Sequence, residues 1–483
     1  MAAKVRSIPS PTGGWNARDS WADMPETDAV ILDNWFPGEG SVSLRKGYTG
    51  HVDTLGGWVK TLAVYDDGAT SQLLAAANGN LWNVTSTNTS LASGFTNDEW
   101  YTATLNSTMG LVNGADAPRT WDGTTLGTMT LTGPTATNVI GVNVFKSRSY
   151  FWEDNDQSFW YSAINTMGGT VTEFNLGQTG TIEGELTTMV NWTRDGGDGI
   201  DDLAVFIFSS GDTVVYTGSD PGSDFTRVGQ YKIAAPIGRN CTLSYGGDVI
   251  VLTTDGYVSL NETIRMRKPS ISNKIQEAVR TAATTFKDNH GWQGVFFPAG
   301  HMAVFNVPIS GTESRQHVIN TNTGAWCRFT GINALSWVVW NDLLYFGGNG
   351  EVFKAWTGTN DDGTAIVADG LPAFSYLKSS NLKQVTAVQP AIKANGTLNV
   401  GIETEADFQI AARPSADVST GSSSSPWGSP WGSAWSASAS LQTPLKTVTR
   451  IGRALTGRVV TNSANHSIEW YSNTYFYETG GFV

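Results

Sequence analysis

Charge is scarce in this sequence. Lysine, arginine, aspartate and glutamate make up 15% of the 483 residues, against about 25% in an average soluble domain. The basic side is the poorer one: 30 Lys and Arg stand against 43 Asp and Glu, a formal net charge of −13. Sequence-independent grip on nucleic acid needs cations that displace phosphate counterions, so this composition disfavours holding DNA, although it does not hinder DNA from passing. Cysteine is nearly absent. Cys241 and Cys327 make no C-x-x-C pair and no disulfide framework, and read as small buried hydrophobes. No apolar run approaches the ~18 residues of a membrane span. Met1 to Trp15 has a basic start without the apolar stretch of a signal peptide. The expectation is a chain made in the cytoplasm, in which the sequons at Asn83, Asn106, Asn191, Asn261 and Asn395 are chance products of Asn/Thr richness.

Groups that carry chemistry are also thin. The five histidines, His51, His290, His301, His317 and His466, show no metal-ligand spacing and no HExxH, and each reads as a structural histidine. No Walker or dinucleotide fingerprint stands between a strand and a helix. A glycosidase needs two carboxylates about 5 to 9.5 Å apart. Glu153, Asp154 and Asp156 are close in sequence, but such clusters are usually solvated loops. Asn320 to Trp326 faintly echoes the Asp-box turn of sialidases, once only and with Asn in the acidic place, so a turn capped by a packed Trp is expected. The run Arg194 to Asp202 has hard oxygens on Gly-flexible turns that suit Ca²⁺, without EF-hand spacing or its final Glu. Asp195, Asp198 and Asp201 are the candidate cation ligands, and no cofactor is expected.

Against these shortages stand 54 Gly, 19 Trp and 11% aromatic residues. Gly/Asn turns between aromatic and β-branched runs describe many short strands. From 56 to 357 a loose repeat of roughly 40 to 50 residues, the propeller period, joins apolar strands to a turn of Gly plus an aromatic. Examples are Val59 to Tyr65, Gln72 to Ala77 and Asn78-Gly79-Asn80-Leu81-Trp82, and later Leu335 to Trp340, Leu343 to Phe346 and Asn349 to Phe353. One four-stranded blade cannot bury both faces alone, and neighbours in a ring bury them. The expected fold class is all-β: a degenerate β-propeller of six or seven blades, with one short helix inserted and a β-rich platform domain added. The helix is placed at Ser272 to Phe286, where Ile275, Ala278, Val279, Ala282 and Phe286 share a core-facing stripe.

The expected domains are an N-terminal arm with first strands at 1–55, the propeller at 56–357 and the platform at 358–483. Platform strands are expected at Gln384 to Ala394, Thr397 to Glu403, Arg450 to Val460 and Ser467 to Tyr477. Within the platform, 419–440 is a Ser/Gly/Pro loop carrying Trp427, Trp431 and Trp435. Three exposed tryptophans in one loop suggest docking, on a neighbour or back on the platform. With Trp15 and Trp35 they are the candidate interface anchors.

Gly13-Gly14-Trp15-Asn16, Asp19, Asp28-Ala29, Leu32 to Pro37 and Arg45-Lys46-Gly47-Tyr48 resemble the N-terminus of the tail nozzle proteins of short-tailed bacteriophages, also called tail hub or packaged-DNA stabilisation proteins. Asn341 to Lys354, Asp361-Asp362-Gly363, Gly452-Arg453 and Ile468 to Tyr471 are similar to the later part of that family. The resemblance implies a propeller with a platform, and a hexamer in the virion tail below the portal and adaptor rings. It implies contacts with tail fibres or a needle, a lumen that retains double-stranded DNA and conducts it at infection, and no catalytic residues. An acidic lumen would repel phosphates and let DNA slide. The alternative from the residues alone is a carbohydrate-binding or glycan-cleaving propeller of a phage tail, because fold does not decide function.

Overall fold

The computed structural model describes residues 3–179, 181–195, 200–265, 270–416, 418–420 and 440–480. It is all-β, with short helices at Leu260–Ile264 and Gln276–Phe286 and three 3₁₀ turns among the described residues. Six separate sheets of three or four antiparallel strands form propeller blades. Blade 1 runs from Val59–Asp66 to Thr89–Ser93, blade 2 from Tyr101–Leu105 to Leu126–Thr128, and blade 3 from Val139–Phe145 to Thr172–Asn175. Blade 4 runs from Leu186–Asp195 to Thr226–Lys232, and blade 5 from Thr242–Tyr245 to Gly256–Ser259. Blade 6 comprises Ser336–Trp340, Leu343–Gly347 and Val352–Thr357, and takes its fourth strand, Gly47–Val52, from the N-terminal region. Between blades 5 and 6 the ring is closed by a blade-like limb, Gln293–Phe297 to Trp326–Phe329, which is one end of a ten-stranded sheet.

The hairpins follow from local sequence. Asn78-Gly79 in blade 1, Asn106-Ser107 in blade 2 and Asn341-Asp342 in blade 6 all place two consecutive residues at positive φ. That is the two-residue turn whose twist matches antiparallel strands. Within Ser71–Ala77 and Ile200–Phe208, Leu73 to Ala77 and Leu203 to Phe208 are continuous buried apolar runs because both faces of a blade are covered by neighbours.

The platform is a second, face-to-face packing of two sheets. One contains Lys383–Ala394 beside Ile468–Thr479, with Lys4–Pro9, Trp35–Pro37, Val42–Leu44, Ser440–Gln442 and Lys446–Gly452 added. The other is the far end of the ten-stranded sheet: Asp28–Asp33, Ile366–Pro372, Leu455–Ser463, Leu398–Ala406 and Val418–Thr420. Ile468, Trp470, Tyr475 and Tyr477 point into the interior, with Glu469, Tyr471, Thr474 and Phe476 on the other face, the alternation of a sheet wet on one side. Trp470 and Trp35 meet at 5.6 Å between ring centroids. Gly370 makes room for them, since a Cβ there would lie 2.7 Å from the Trp470 ring.

Residues 1–55 thus supply six strands, five to the platform and one to blade 6. The helix expected at Ser272 to Phe286 forms over Gln276–Phe286, and its Ile275, Val279 and Ala283 side are buried against blade 5 and the limb. The single strand expected at Arg450 to Val460 is corrected. It breaks after Gly452, and its halves, Lys446–Gly452 and Leu455–Ser463, join opposite sheets. The Asp407 carboxylate accepts the Arg453 and Ala454 amides at 2.7 and 3.0 Å and holds the turn between them.

Candidate functional site

Two polar constellations stand out. The first is the joint between platform and propeller. Asp33 and Arg328 pair where the platform strand meets the limb in parallel, and the guanidinium grips the carboxylate through two bonds of 2.7 Å. The next residue, Asn34, is held at φ 58°. Its side chain donates to Thr330 Oγ1 at 2.9 Å and to the Val367 carbonyl at 2.8 Å, and accepts from the Thr330 amide and from Arg45 Nε. Arg45 in turn forms a bidentate pair with Asp361, at 2.7 and 2.6 Å, with both side chains almost wholly buried. Buried charges of this kind persist only when each donor and acceptor is matched. Arg45 meets this with further bonds to the Lys46 and Thr330 carbonyls. Close by, Asp28 receives Lys274 at 2.9 and 3.0 Å and the Asn16 amide at 2.8 Å, while Lys274 also donates to the Gly13 carbonyl. Asp19 is drawn down to about 2 by its bonds from Arg18 and Asn16.

The second is the mouth of the propeller axis, on the face where the chain enters the innermost strands. A polar cavity of about 340 Å³ is lined there by Glu99, Tyr101, Asn113, Arg239, Lys287 and His290, among others. His290, in the loop leading from helix Gln276–Phe286 to the limb, reaches across to blades 1 and 2. Its Nε2 lies 3.0 Å from the Lys60 carbonyl and its Nδ1 3.3 Å from Glu99. Both neighbours are acceptors, so the ring bridges the Lys60 backbone and the Glu99 carboxylate. The His290 hydrogen bond, helped by Lys60 at 3.1 Å, holds the Glu99 carboxyl down at about 2 despite its partial burial. Arg239, leading into blade 5, meets Asp154 of blade 3 at 3.3 Å. Burial raises the Tyr101 hydroxyl far above an ordinary phenol, so it remains a neutral donor. Ion pairs therefore span the axial opening.

The expected site residues fall as follows. Trp15 and Trp35, expected as interface anchors, are corrected: they are 7% and 0% exposed inside this chain. Trp15 lies under the Arg328 guanidinium and edge-on to His317, and Trp35 packs on Trp470. Neither has surface to offer a partner in this fold. Trp427, Trp431, Trp435 and Asp198 lie outside the described residues, as do the side chains of Asp195 and Asp201. Among the described residues no cluster of three or more His, Cys, Asp or Glu is placed to hold a metal.

Glu153, Asp154 and Asp156 are each engaged locally, with the Thr135 amide and Trp160, with Arg239 and Asn155, and with the Gln157 and Ser158 amides. The turn at Asn320 to Trp326 is built by the Asn320 side chain accepting the Asn322 and Thr323 amides, with Trp326 buried. Cys241 and Cys327 are free and fully buried, and burial pushes the Cys241 thiol up to about 12. His317 is enclosed, accepts or shares the Tyr257 hydroxyl proton at Nδ1, and is driven down to about 3 by burial. Sequence reading missed the Glu99–His290–Lys60 and Arg45–Asp361 groupings, because the partners are remote in sequence and no spacing rule links them.

No protein-family model and no curated protein matches this chain. Solved structures similar to it include a computationally designed protein, Ika8, at 10% identity, covering 68% of this chain and 96% of that one with a TM-score of 0.40. YCF48 bound to D1 peptide is similar at 7% identity over 69% of this chain and 99% of its own, with a TM-score of 0.41. BBS1N in complex with ARL6DN is similar at 9% identity over 66% and 99%, with a TM-score of 0.41.

Proposed function

We propose that this chain is a non-enzymatic structural subunit of a short-tailed phage tail, a nozzle or hub protein. On this reading it forms a hexameric ring that retains packaged DNA and conducts it at infection. The observation that carries the reading is where the resembling residues lie. Asn16, Asp28, Asp33, Asn34 and Arg45 are residues of the joint between platform and propeller, and Trp35 packs on Trp470 inside the platform. A resemblance in packing residues is thereby a resemblance in architecture, and a rigid two-part body is what a ring subunit under DNA pressure requires.

Charge supports the same reading. Residues 1–46 and 366–483 carry 13 basic and 13 acidic residues, so the whole net charge of −13 falls on 47–365, with 17 basic against 30 acidic. Propellers arranged around a lumen would present DNA with a repelling wall. The axial opening of a single propeller, crossed by Glu99–His290 and Arg239–Asp154, is not the path on this reading. DNA runs between subunits, and the adaptor ring, tail fibres or needle are the partners above and beside.

The test is the mass and shape of the purified protein, alone and with portal and adaptor, by light scattering and electron microscopy. A six-membered ring with a central channel is expected. A monomer under every one of those conditions overturns the proposal and directs attention to glycan binding at the axial cavity.

A further inference from the structure

Helix Gln276–Phe286 roofs a groove of about 360 Å³ over one face of the limb. Register builds the wall beneath it. Val307 is level with Arg315, and His317 stands level with Phe305 on one side and Arg328 on the other. Side chains alternate along a strand and share a face with their cross-strand neighbours, so Arg315, His317, Val307 and Arg328 all meet the groove. The helix contributes Ala278, Ala282 and Phe286 at four-residue spacing, each only partly buried. Two alanines on that stripe leave the space between helix and sheet unfilled.

The polar end of the groove offers N–H donors. His317 is 5% exposed, and its Nδ1 lies 2.9 Å from the Tyr257 hydroxyl. That hydroxyl is fully buried and has no other partner among the described residues, and an O–H left unpaired in the core is costly. The tautomer that pairs it has Nδ1 accepting and the proton on Nε2. Nε2 itself has no partner among the described residues and is not sealed into the core. Level with it, Arg328 gives Nε and Nη2 to Asp33, and its Nη1 is unspent. Arg315 touches Glu313 through one nitrogen only, at 3.5 Å and in solvent. The carboxylate in the lining, Glu277, is held by Arg280 at 2.9 Å. Imidazole and guanidinium donors beside an aliphatic wall suit a ligand that accepts at one end and is apolar at the other.

We propose that this groove binds a small carboxylate with a short apolar body. The carboxylate takes the His317 Nε2 proton donor and the unspent guanidinium donors of Arg328 and Arg315, and the body lies along Ala278, Ala282 and Val307. The volume is at the lower end of small-molecule sites, about 300–1,000 Å³. The site is complete within one chain, so it stands whether or not the chain forms a ring.

The test titrates hexanoate, hexanamide and acetate into the full-length protein by calorimetry, and repeats hexanoate with Arg315→Gln and Ala282→Trp. Circular dichroism checks folding. Hexanoate is expected to bind once per chain, about tenfold or more tighter than the neutral amide of the same length or the head group alone. Arg315→Gln, on the surface, is expected to weaken it about tenfold, and Ala282→Trp, which fills the groove, to abolish it. In protein labelled with ¹⁵N-histidine, His317 is recognised as the last imidazole to protonate as pH falls, and its Nε2–H signal is expected to move when hexanoate is added. Equal binding of hexanoate and hexanamide overturns the carboxylate assignment. No binding to the folded parent, full binding by Arg315→Gln, or a His317 signal that does not respond overturns the site. Arg315→Gln and the His317 signal decide the matter even where the bulkier variant melts early.

Discussion

The propeller and the platform solve the same problem in opposite ways. Blades 1 to 5 are each built from one continuous stretch of chain, blade 3 with a short strand, Gly169–Thr170, looped out between its last two, so each of these five is closed by contacts local in sequence. The platform pairs Lys4–Pro9 with Ile468–Thr479 and Asp28–Asp33 with Ile366–Pro372, drawing its sheets from both ends of the chain. Blade 6 stands between the two modes, since its outer strand comes from 47–52. A locally closed unit tolerates loss of a distant segment, and a unit closed by both termini does not. Contacts between distant segments also cost more loop-closure entropy and form later in folding.

The sharpest way to break that comparison is to remove residues 1–46 and leave Gly47–Val52 to complete blade 6. The platform would lose Ala29, Leu32, Trp35 and Val42, all at most 1% exposed, together with five strands. The expected outcome is loss of the platform as a folded unit, with rapid proteolysis across 366–480, while 47–357 remains protease-resistant. Extending the deletion through residue 55 should open the propeller as well. Uniform resistance of the whole shortened chain would show that the platform does not depend on the N-terminal strands.

Next in size is the joint. Asp361→Asn leaves the Arg45 guanidinium buried without its counter-charge, and breaking a buried pair in this way costs about 3–5 kcal/mol. A matched change in blade 4, Asp202→Asn, removes a partner of Lys146 in a pair whose side chains are 38% and 40% exposed. Exposed pairs contribute about 0–1 kcal/mol. Denaturant melts should separate the two variants by several kcal/mol, and equal midpoints would mean that the joint is no more rigid than a surface contact.

The same division explains how much could be read in advance. The blades were legible because their signals are short-range: Asn78-Gly79 turns a hairpin, and Leu73 to Ala77 runs apolar between two turn signals. The helix stripe of Ile275, Val279 and Phe286 was legible for the same reason. The joint was not. Arg45 finds Asp361, and Asp33 finds Arg328, across most of the chain, and nothing in the local pattern of either residue names its partner. Trp15 and Trp35 looked like anchors for another subunit because the strands that bury them lie at the far end of the sequence. The break after Gly452 was hidden likewise, since the carboxylate that turns the chain belongs to Asp407. The axial grouping joins Lys60, Glu99 and His290 only through ring closure.

The smallest effect expected is at that axial mouth, and it has a defined pH signature. Glu99 titrates at about 2 in the folded chain, against 4.5 for an ordinary glutamate. A carboxyl with a depressed folded value stabilises the fold fully above the ordinary value, and that stability is lost as pH falls from about 4.5 towards about 2. Glu99→Gln removes the contribution at every pH. The variant should therefore be less stable than the parent by about 1–2 kcal/mol near neutrality, a figure reduced for screening because a third of the Glu99 side chain is exposed. The two stability curves should converge as pH drops below about 4.5. The His290 ring nitrogens face the Lys60 carbonyl and Glu99, so His290→Gln should give a similar loss without adding a new charge. A constant gap between parent and Glu99→Gln from neutrality down through the acid range would mean that Glu99 acts there by packing alone, and that charge does not tie the limb to blades 1 and 2.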